Sequence, residues 1–450
     1  MRTAQTGLVF RGTPDAEAAR RAHEASLPAL TSAGLLNAAW LRALCRDAGA
    51  ADAGFVNIDR VSVGAETDNA RRLFPATKTL ISLVGISNRE AVRSLSRPTA
   101  NNAWHHTSNT LDEAAAHICE RLAEVGVRGL PTSVGFPMDM HPEGGRNIWE
   151  IAHKTVAVEA GMGHMGTNRN VIHPRFGNFI LLETVLIDAA VDAYDGPLDY
   201  NPCIGCNLCV AACPVGAIHP DGDFDFFACL GHNYREFLFG FTDWVDTVAT
   251  DGGPAAYRAK FREPETLSMW QSLAFGPNYK SAYCMAVCPA GDDVIGPYLA
   301  DKARYRQDVV VPFLRKPEPV YVQSGTRAER VAARNPDKRV RYLDFKPDLS
   351  TIANFGLGLR HMFTSGADAE MRIVVAFRLP DGQLSATVAD GKLTITDGIA
   401  DDAEVMVTCS DDQYIRILHR PAPGRPERNA VALDIDGDPA TVKRLLACLT

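Results

Sequence analysis

Residues Cys203-Ile204-Gly205-Cys206-Asn207-Leu208-Cys209-Val210-Ala211-Ala212-Cys213-Pro214 decide what this chain is built around. Three cysteines recur with two residues between each, and a fourth follows immediately before a proline. Thiolates at that spacing wrap a cubane iron–sulfur cluster, and the cysteine before the proline points to a second cluster. Soft thiolates also suit zinc, but zinc needs only four ligands and rarely uses such a run. Downstream stand Cys229, Cys284 and Cys288, the last again followed by proline. Crossed ligation assigns Cys203, Cys206, Cys209 and Cys288 to a first, four-iron cluster. It leaves Cys213, Cys229 and Cys284 for a second. Where the spacing asks for the eighth thiolate, the chain has Ser281. Three outcomes stay open: a three-iron second cluster; a four-iron cluster with one iron on His232, Ser281 or solvent; or no second cluster and three buried thiols.

The rest of the composition agrees with an ordinary globular chain. Its 450 residues are enough for two to four domains, and 46% apolar residues supply real cores. A net charge of −8 argues against a large nucleic-acid footprint, so no nucleic-acid partner is expected. No window is apolar for long enough to span a membrane. Arg20–Arg21 precede His23 and Glu24 rather than an apolar stretch, which reads as a helix surface, and the expected location is cytoplasmic. Eleven cysteines in such a chain, seven of them between 203 and 288, point to metal rather than disulfides.

Patterning outward from the cysteines divides the chain into five stretches. Residues 1–60 read as an N-terminal helical region and 61–194 as an α/β core. Within that core Thr79–Gly85 and Phe179–Ile187 are buried strands, and Thr110–Val125 has helical spacing. Residues 195–300 form the cysteine module. Residues 301–345, rich in Arg, Lys and Pro, read as a linker or wrapping arm. Residues 346–450 are a separate α+β domain. Its strands lie near 373–377, 384–388, 393–395, 405–409 and 431–435, its helices near 410–418 and 439–449, and Asp390-Gly391 is a hairpin turn.

Residues 60 to 300 resemble the epoxyqueuosine reductase and reductive dehalogenase superfamily, corrinoid enzymes with two iron–sulfur clusters. The likeness is carried by the cysteine module, with its long insertion between Cys229 and Cys284, and by the segment from His153 to Gly177. That segment includes Gly161-Met162-Gly163-His164-Met165-Gly166-Thr167-Asn168 and His173-Pro174-Arg175-Phe176-Gly177. The resemblance implies a ferredoxin-like dicluster module beside a corrinoid-binding core. Cobalamin would contact His153, Gly161, Gly163, Met165, Gly166 and Asn168, where closely spaced glycines let backbone approach a flat cofactor. It also implies a small-molecule substrate, carbon–halogen cleavage or deoxygenation, and an external donor such as ferredoxin or flavodoxin. A proton donor is then needed, and Asp139 and His141 are the candidates. The family's donor position falls on Asn147 here.

Residues 346–450 resemble the sterol-carrier-protein type 2 domain, through Gly391-Lys392-Leu393-Thr394-Ile395, Ala403 to Ser410 and Leu433 to Asp438. That likeness implies a sheet and helices around an apolar tunnel, or else a docking or homodimerisation module. A cluster-only electron-transfer protein and a lipid carrier with a structural cluster are the competing functional classes.

Overall fold

The computed structural model describes residues 26–64, 66–139, 149–203, 205–220, 222, 224–250, 252–343, 352–363, 370–380, 382–409 and 433–449. The chain divides into two compact units. One comprises Met1–Pro137, Glu150–Cys206 and Met285–Tyr305; the other comprises Met138–Trp149, Asn207–Cys284 and Arg306–Thr450. Among the described residues no helix is long and apolar enough to cross a membrane.

The first unit is organised by an apolar strand that both faces of a sheet must cover. Helix α1 (Ala38–Asp47) leads into β1 (Asp52–Asn57) and β2 (Thr79–Ile86). There follow α2 (Arg97–Glu124), β3 (Gly129–Pro131), α3 (His153–Glu159), the short β4 (His164–Met165) and β5 (Val171–Ile172), and β6 (Ile180–Ile187). The sheet order is β1-β2-β6-β3. Every residue of β2 except Ile86 is buried, as a strand covered on both faces must be. Alternate residues go to opposite cores. Ile81, Leu83, Val185 and Ile187 meet Leu111, Ile118 and Leu122 of α2, with Leu41 and Leu44 of α1 in the same core. Leu80, Val84 and Leu186 meet Val156 and Ala157 of α3 on the other side.

The two buried strands and the helix expected here are present, the helix starting earlier, at Arg97 with Pro98 in its first turn. All three ladders of this sheet are antiparallel. One expectation is corrected. The first sixty residues are not all helical among those described, because β1 lies within them and pairs with β2 from Asp52↔Val84 to Asn57↔Thr79. Its run Ala53-Gly54-Phe55-Val56 is buried throughout, and hydrophobic burial outweighs the helical tendency of the surrounding alanines.

The second unit carries α4 (Leu208–Ala212), α5 (Phe226–Asn233), α6 (Phe239–Thr250) and α7 (Glu263–Phe275). The stretch expected to be a linker then folds into a parallel pair, β7 (Glu318–Val322) and β8 (Lys338–Tyr342), joined by α8 (Arg327–Ala333). Thr326 caps α8 through its hydroxyl, which accepts the Glu329 N–H at 3.3 Å. Val320, Val322, Ala328 and Ala332 form a small core with Val215 and Ala217, and Cys213 and Cys229 pack against it. The basic, Pro-rich composition had hidden four apolar residues at the right spacing to close that core.

A buried ion network fixes this pair in place. Lys338 Nζ donates to Glu318 Oε1 at 2.7 Å and to the carbonyls of Phe313 and Lys316 at 2.7 and 3.0 Å. Tyr283 Oη donates to the other Glu318 oxygen at 2.6 Å. Burial alone would raise the Glu318 carboxyl, but Lys316 and Lys338 hold it below its ordinary range.

The C-terminal part continues with α9 (Ile352–Met362), β9 (Ile373–Leu379), β10 (Gly382–Ala389), β11 (Lys392–Asp397), β12 (Val405–Thr408), β13 (Asp434–Gly437) and α10 (Pro439–Ala447). The sheet order is β11-β10-β9-β12-β13, with only β9 and β12 parallel. Phe355 and Leu359 of α9 and Val442 and Leu445 of α10 cover Val375, Phe377 and Ala386. Asp390 and Gly391 both have positive φ, 52° and 67°, the geometry a two-residue hairpin demands. The helix expected at 410–418 lies outside the described residues.

Removing Lys338 would strand the Glu318 carboxylate in a buried site. Lys338→Ala is expected to cost about 3 kcal/mol, the usual result of breaking one side of a buried pair. A urea titration followed by tyrosine fluorescence should show the lowered midpoint; an unchanged midpoint would refute the role assigned to this network.

Candidate iron–sulfur site

None of the eleven cysteines is in a disulfide. In the first unit Cys203 and Cys288 share one lining, and Cys206 and Cys288 both act on Tyr305. Cys203 packs with Ile172, Cys288 and Ala290. Tyr200 lies in the field of Cys288 and Cys203, and Tyr305 in that of Cys288 and Cys206. Burial, with these thiols adding to it, pushes both phenols up to about 12, so both remain O–H donors. Gly205 and Asn207 have φ of 74° and 52°, which coils the chain between consecutive cysteines. Cys209, the remaining thiol expected for this cluster, follows on α4 of the second unit.

The segment from Gly163 to Gly177 holds this thiol set. β4 and β5 pair as a short hairpin, and the Gly166 N–H donates to the Asn170 carbonyl at 2.8 Å across its loop. From that loop the Thr167 N–H donates to Cys203 Sγ at 3.3 Å. Backbone donors of this kind stabilise a thiolate and tune a cluster. Further on, Gly177 sits against the loop that follows Cys288. A Cβ on Gly177 would lie 1.9 Å from the Ala290 carbonyl oxygen, and one on Gly291 would lie 2.4 Å from the Gly177 nitrogen. Asp292 and Asp293 donate their N–H groups to the carbonyls of Pro174 and Arg175 at 2.8 and 3.0 Å, and Arg175 pairs with Asp293 at 3.0 Å.

These contacts give the glycines a different reason from the one expected. A Cβ on Gly163 would meet the Ile172 carbonyl at 2.5 Å, one on Gly161 the Gly196 carbonyl at 2.7 Å, and one on Gly166 the Ile172 side chain at 2.5 Å. At these three glycines the chain's own atoms occupy the space that a Cβ would take. Asn168 is buried, its Oδ1 accepting the Asn170 N–H at 3.2 Å within the loop, and Met165 is half-buried in β4. His153 is also internal. Its Nε2 bonds the Ser133 carbonyl and its Nδ1 bonds Thr184 Oγ1, both at 2.9 Å. The carbonyl requires the proton on Nε2, and burial lowers the ring's pKa to about 4, so His153 is a neutral, fully bonded histidine. Of the two proton-donor candidates, Asp139 is exposed and His141 lies outside the described residues.

In the second unit, Cys213 Sγ accepts the Ala217 N–H at 3.2 Å. Burial pushes this thiol up, while the backbone N–H groups of Ala217, Val215, Ile218 and Gly216 pull it down. Such a nest of amides suits a thiolate. Cys229 lies on α5, whose N-terminus is capped by Asp225 Oδ1 accepting the Ala228 N–H at 2.9 Å. Cys284 follows Tyr283, which is anchored on Glu318. Tyr234 lies in the field of both Cys229 and Cys284, and its ring packs edge-on against Phe237 and Tyr279. Ser281 is buried, and its hydroxyl donates to Asn233 Oδ1 at 3.2 Å. The donors therefore fit iron–sulfur clusters: thiols with amide donors, walled by apolar and aromatic side chains. Among the described residues no three His, Cys, Asp or Glu side chains are placed to hold a single metal ion; a cubane asks for a wider spacing, because each thiolate binds a different iron.

Sequence reasoning missed Glu183. It sits in the middle of β6, fully buried, with neither carboxylate oxygen hydrogen-bonded among the described residues. Burial, with Asp112 adding to it, pushes its carboxyl up to about 9. The signal was visible as the single charge in the run from Phe179 to Ile187.

A 4Fe-4S binding domain family matches residues 197–219. Curated epoxyqueuosine reductases are similar over part of their length. That of Bacillus cereus is 25% identical over 120 residues, 27% of each chain. That of Cyclobacterium marinum is 37% identical over 82 residues, 18% of this chain and 26% of the relative. The matched stretches span about a quarter of these relatives. Among solved structures, an epoxyqueuosine reductase from Streptococcus thermophilus aligns at 14% identity and a TM-score of 0.35, covering 65% of this chain and 98% of that one. A catabolic reductive dehalogenase in complex with 3-bromo-4-hydroxybenzoic acid aligns at 16% and 0.39, covering 61% and 35%.

Two outcomes test this geometry. Gly177→Ala drives a Cβ into the Ala290 carbonyl beside Cys288, so the reconstituted protein should hold less iron than wild type. Gly135→Ala, with nothing within 4 Å of its Cβ, should hold the same amount. Equal iron in both variants would refute the clamp. Glu183 binds its proton more tightly folded than unfolded, so it supports stability at low pH and loses that support as pH rises from about 4.5 toward 9. Glu183→Gln should therefore flatten the decline, by up to about 1.4 kcal/mol per pH unit. Urea midpoints at pH 5.5 and 8 check it; parallel shifts at both would contradict the buried neutral acid.

Proposed function

We propose that this chain is an iron–sulfur oxidoreductase that passes single electrons through two clusters to a small-molecule acceptor. The observation that carries the reading is the packing of Cys203 beside Cys288, two cysteines far apart in sequence, with a backbone amide aimed at the Cys203 sulfur. The match to a 4Fe-4S binding domain supports it. Cluster one takes Cys203, Cys206, Cys209 and Cys288, and a carrier such as ferredoxin or flavodoxin supplies the electrons. Among the described residues Glu183 is a buried acid that keeps its proton at neutral pH. We read the C-terminal sheet with its covering helices as a sterol-carrier-type module for an apolar substrate or a homodimer contact, a reading that rests on the sequence resemblance.

A corrinoid-dependent reductase, acting by carbon–halogen cleavage or deoxygenation, is the second reading, favoured by the similarity to epoxyqueuosine reductases. Bound cobalamin would supply a strongly reducing cobalt. His153 and the three glycines are already satisfied by protein contacts, so we route no step through it.

Anaerobically purified protein, assayed for iron, sulfide and cobalt, separates these readings. Iron and sulfide for two clusters without cobalt, and no corrin bands after incubation with cobalamin, support the first. Stoichiometric cobalt establishes the second. Cys203→Ser should lose the iron of one cluster and keep the other; retention of all iron would refute the ligand assignment. A modified tRNA stem loop, the ligand of one solved epoxyqueuosine reductase, is the control ligand. Tight binding to it would overturn the small-molecule reading and the expectation of no nucleic-acid partner.

A further inference from the structure

We propose that the second cluster is held by three thiolates, from Cys213, Cys229 and Cys284, and that its fourth corner carries an exchangeable iron with no protein ligand. The proposal rests on the iron–sulfur reading above and concerns only this corner.

The argument begins at Ser281, which stands where the spacing asks for a thiolate. Its hydroxyl donates to Asn233 Oδ1 at 3.2 Å, and its backbone N–H donates to the same oxygen at 2.9 Å. The second bond fixes which way round the carboxamide sits, since turning it would set an NH2 group against a backbone N–H. Oδ1 therefore faces Ser281, and the hydroxyl must keep its proton in order to donate. An alkoxide ligand at this position would face a carbonyl oxygen instead, inside a buried site where that repulsion is poorly screened. Asn233 is the last residue of α5, four places after Cys229, so the lock on Ser281 belongs to the helix that presents one of the three thiols.

His232 is the next alternative. It is buried, and its Nδ1 accepts the Tyr321 N–H at 3.3 Å. Accepting there places the ring's proton on Nε2, which has no acceptor among the described residues. An iron ligand needs a lone pair on that nitrogen, whereas His232 offers an N–H. The backbone bond from β7 would have to break before the ring could bind metal. The Tyr234 ring is in the field of Cys229 and Cys284, but it is packed edge-on between Phe237 and Tyr279. It walls the corner with an aromatic ring and presents an O–H rather than a thiolate.

An iron with three sulfides and no side chain completes its coordination with water or a small anionic oxygen or sulfur ligand. It is also the iron most easily lost. When an oxidant takes one electron, the four-iron core releases one ferrous ion and leaves a three-iron core that keeps all four sulfides. Added ferrous ion and one electron reverse the change.

Full-length protein, reconstituted anaerobically with iron and sulfide and then oxidised with ferricyanide, tests this by EPR and metal analysis. The expected result is the signal of an oxidised three-iron cluster, amounting to one cluster per chain, with a matching loss of one protein-bound iron per chain. Ser281→Cys supplies the absent thiolate and should remove most of that signal while sulfide stays at two clusters per chain. His232→Gln and Tyr234→Phe should leave the signal at the wild-type level. Wild-type protein that keeps two intact four-iron clusters after oxidation overturns the proposal, as does sulfide for only one cluster. A Ser281→Cys signal equal to wild type also overturns it, and a rise in either of the other variants would name that side chain as the ligand. A chain that takes up no iron or sulfide at all defeats the iron–sulfur reading itself.

Discussion

The carbonyl oxygen of Ala290 lies where any side chain on residue 177 would have to be, and the first cysteine set depends on that approach. Cys288 is separated by more than seventy residues from the other thiols of its cluster. Loop closure over that length leaves its position undetermined unless something local fixes it. Gly177 and Gly291 allow two backbones to meet closely, and the N–H groups of Asp292 and Asp293 then seal the contact. The hairpin just upstream places an amide on Cys203. One continuous segment thus sets both ends of the ligand list.

Much of this was legible from residue spacing. The thiols in the run Cys203 to Cys213 identify themselves, because cluster ligation imposes a local period. The apolar runs around Leu83 and Leu186 announced two-sided burial, and Asp390-Gly391 announced its turn. What was not legible depended on distant partners. The glycines from Gly161 to Gly177 could have served a cofactor or the protein, and sequence does not say which surface a missing Cβ faces. Antiparallel pairing of β2 with β6 is likewise set by long-range register, which the local alternation of strands and helices leaves open.

The stretch from 301 to 345 shows how composition misleads. Charge and proline suggested solvent exposure. Yet Lys338 is almost fully buried, holding Glu318 and two carbonyls, while Val320, Ala328 and Ala332 close the wall behind Cys213 and Cys229. A buried pair of this kind adds little net stability over an apolar substitute. Its value here is positional. It ties Tyr283, and with it the neighbouring Cys284, to a strand that already packs against the other two thiols.

The two cysteine sets therefore differ in electronics as well as in number. A cluster with three thiolates and a water carries less negative charge than one with four thiolates, and the amides around Cys213 withdraw charge further. Both effects raise a reduction potential. With the ligation proposed for the second cluster, electrons entering the chain would settle there rather than on the first. A step that needs a very strong reductant would then draw on the first cluster. The second would act as a one-electron store whose depth depends on whether its open iron is present.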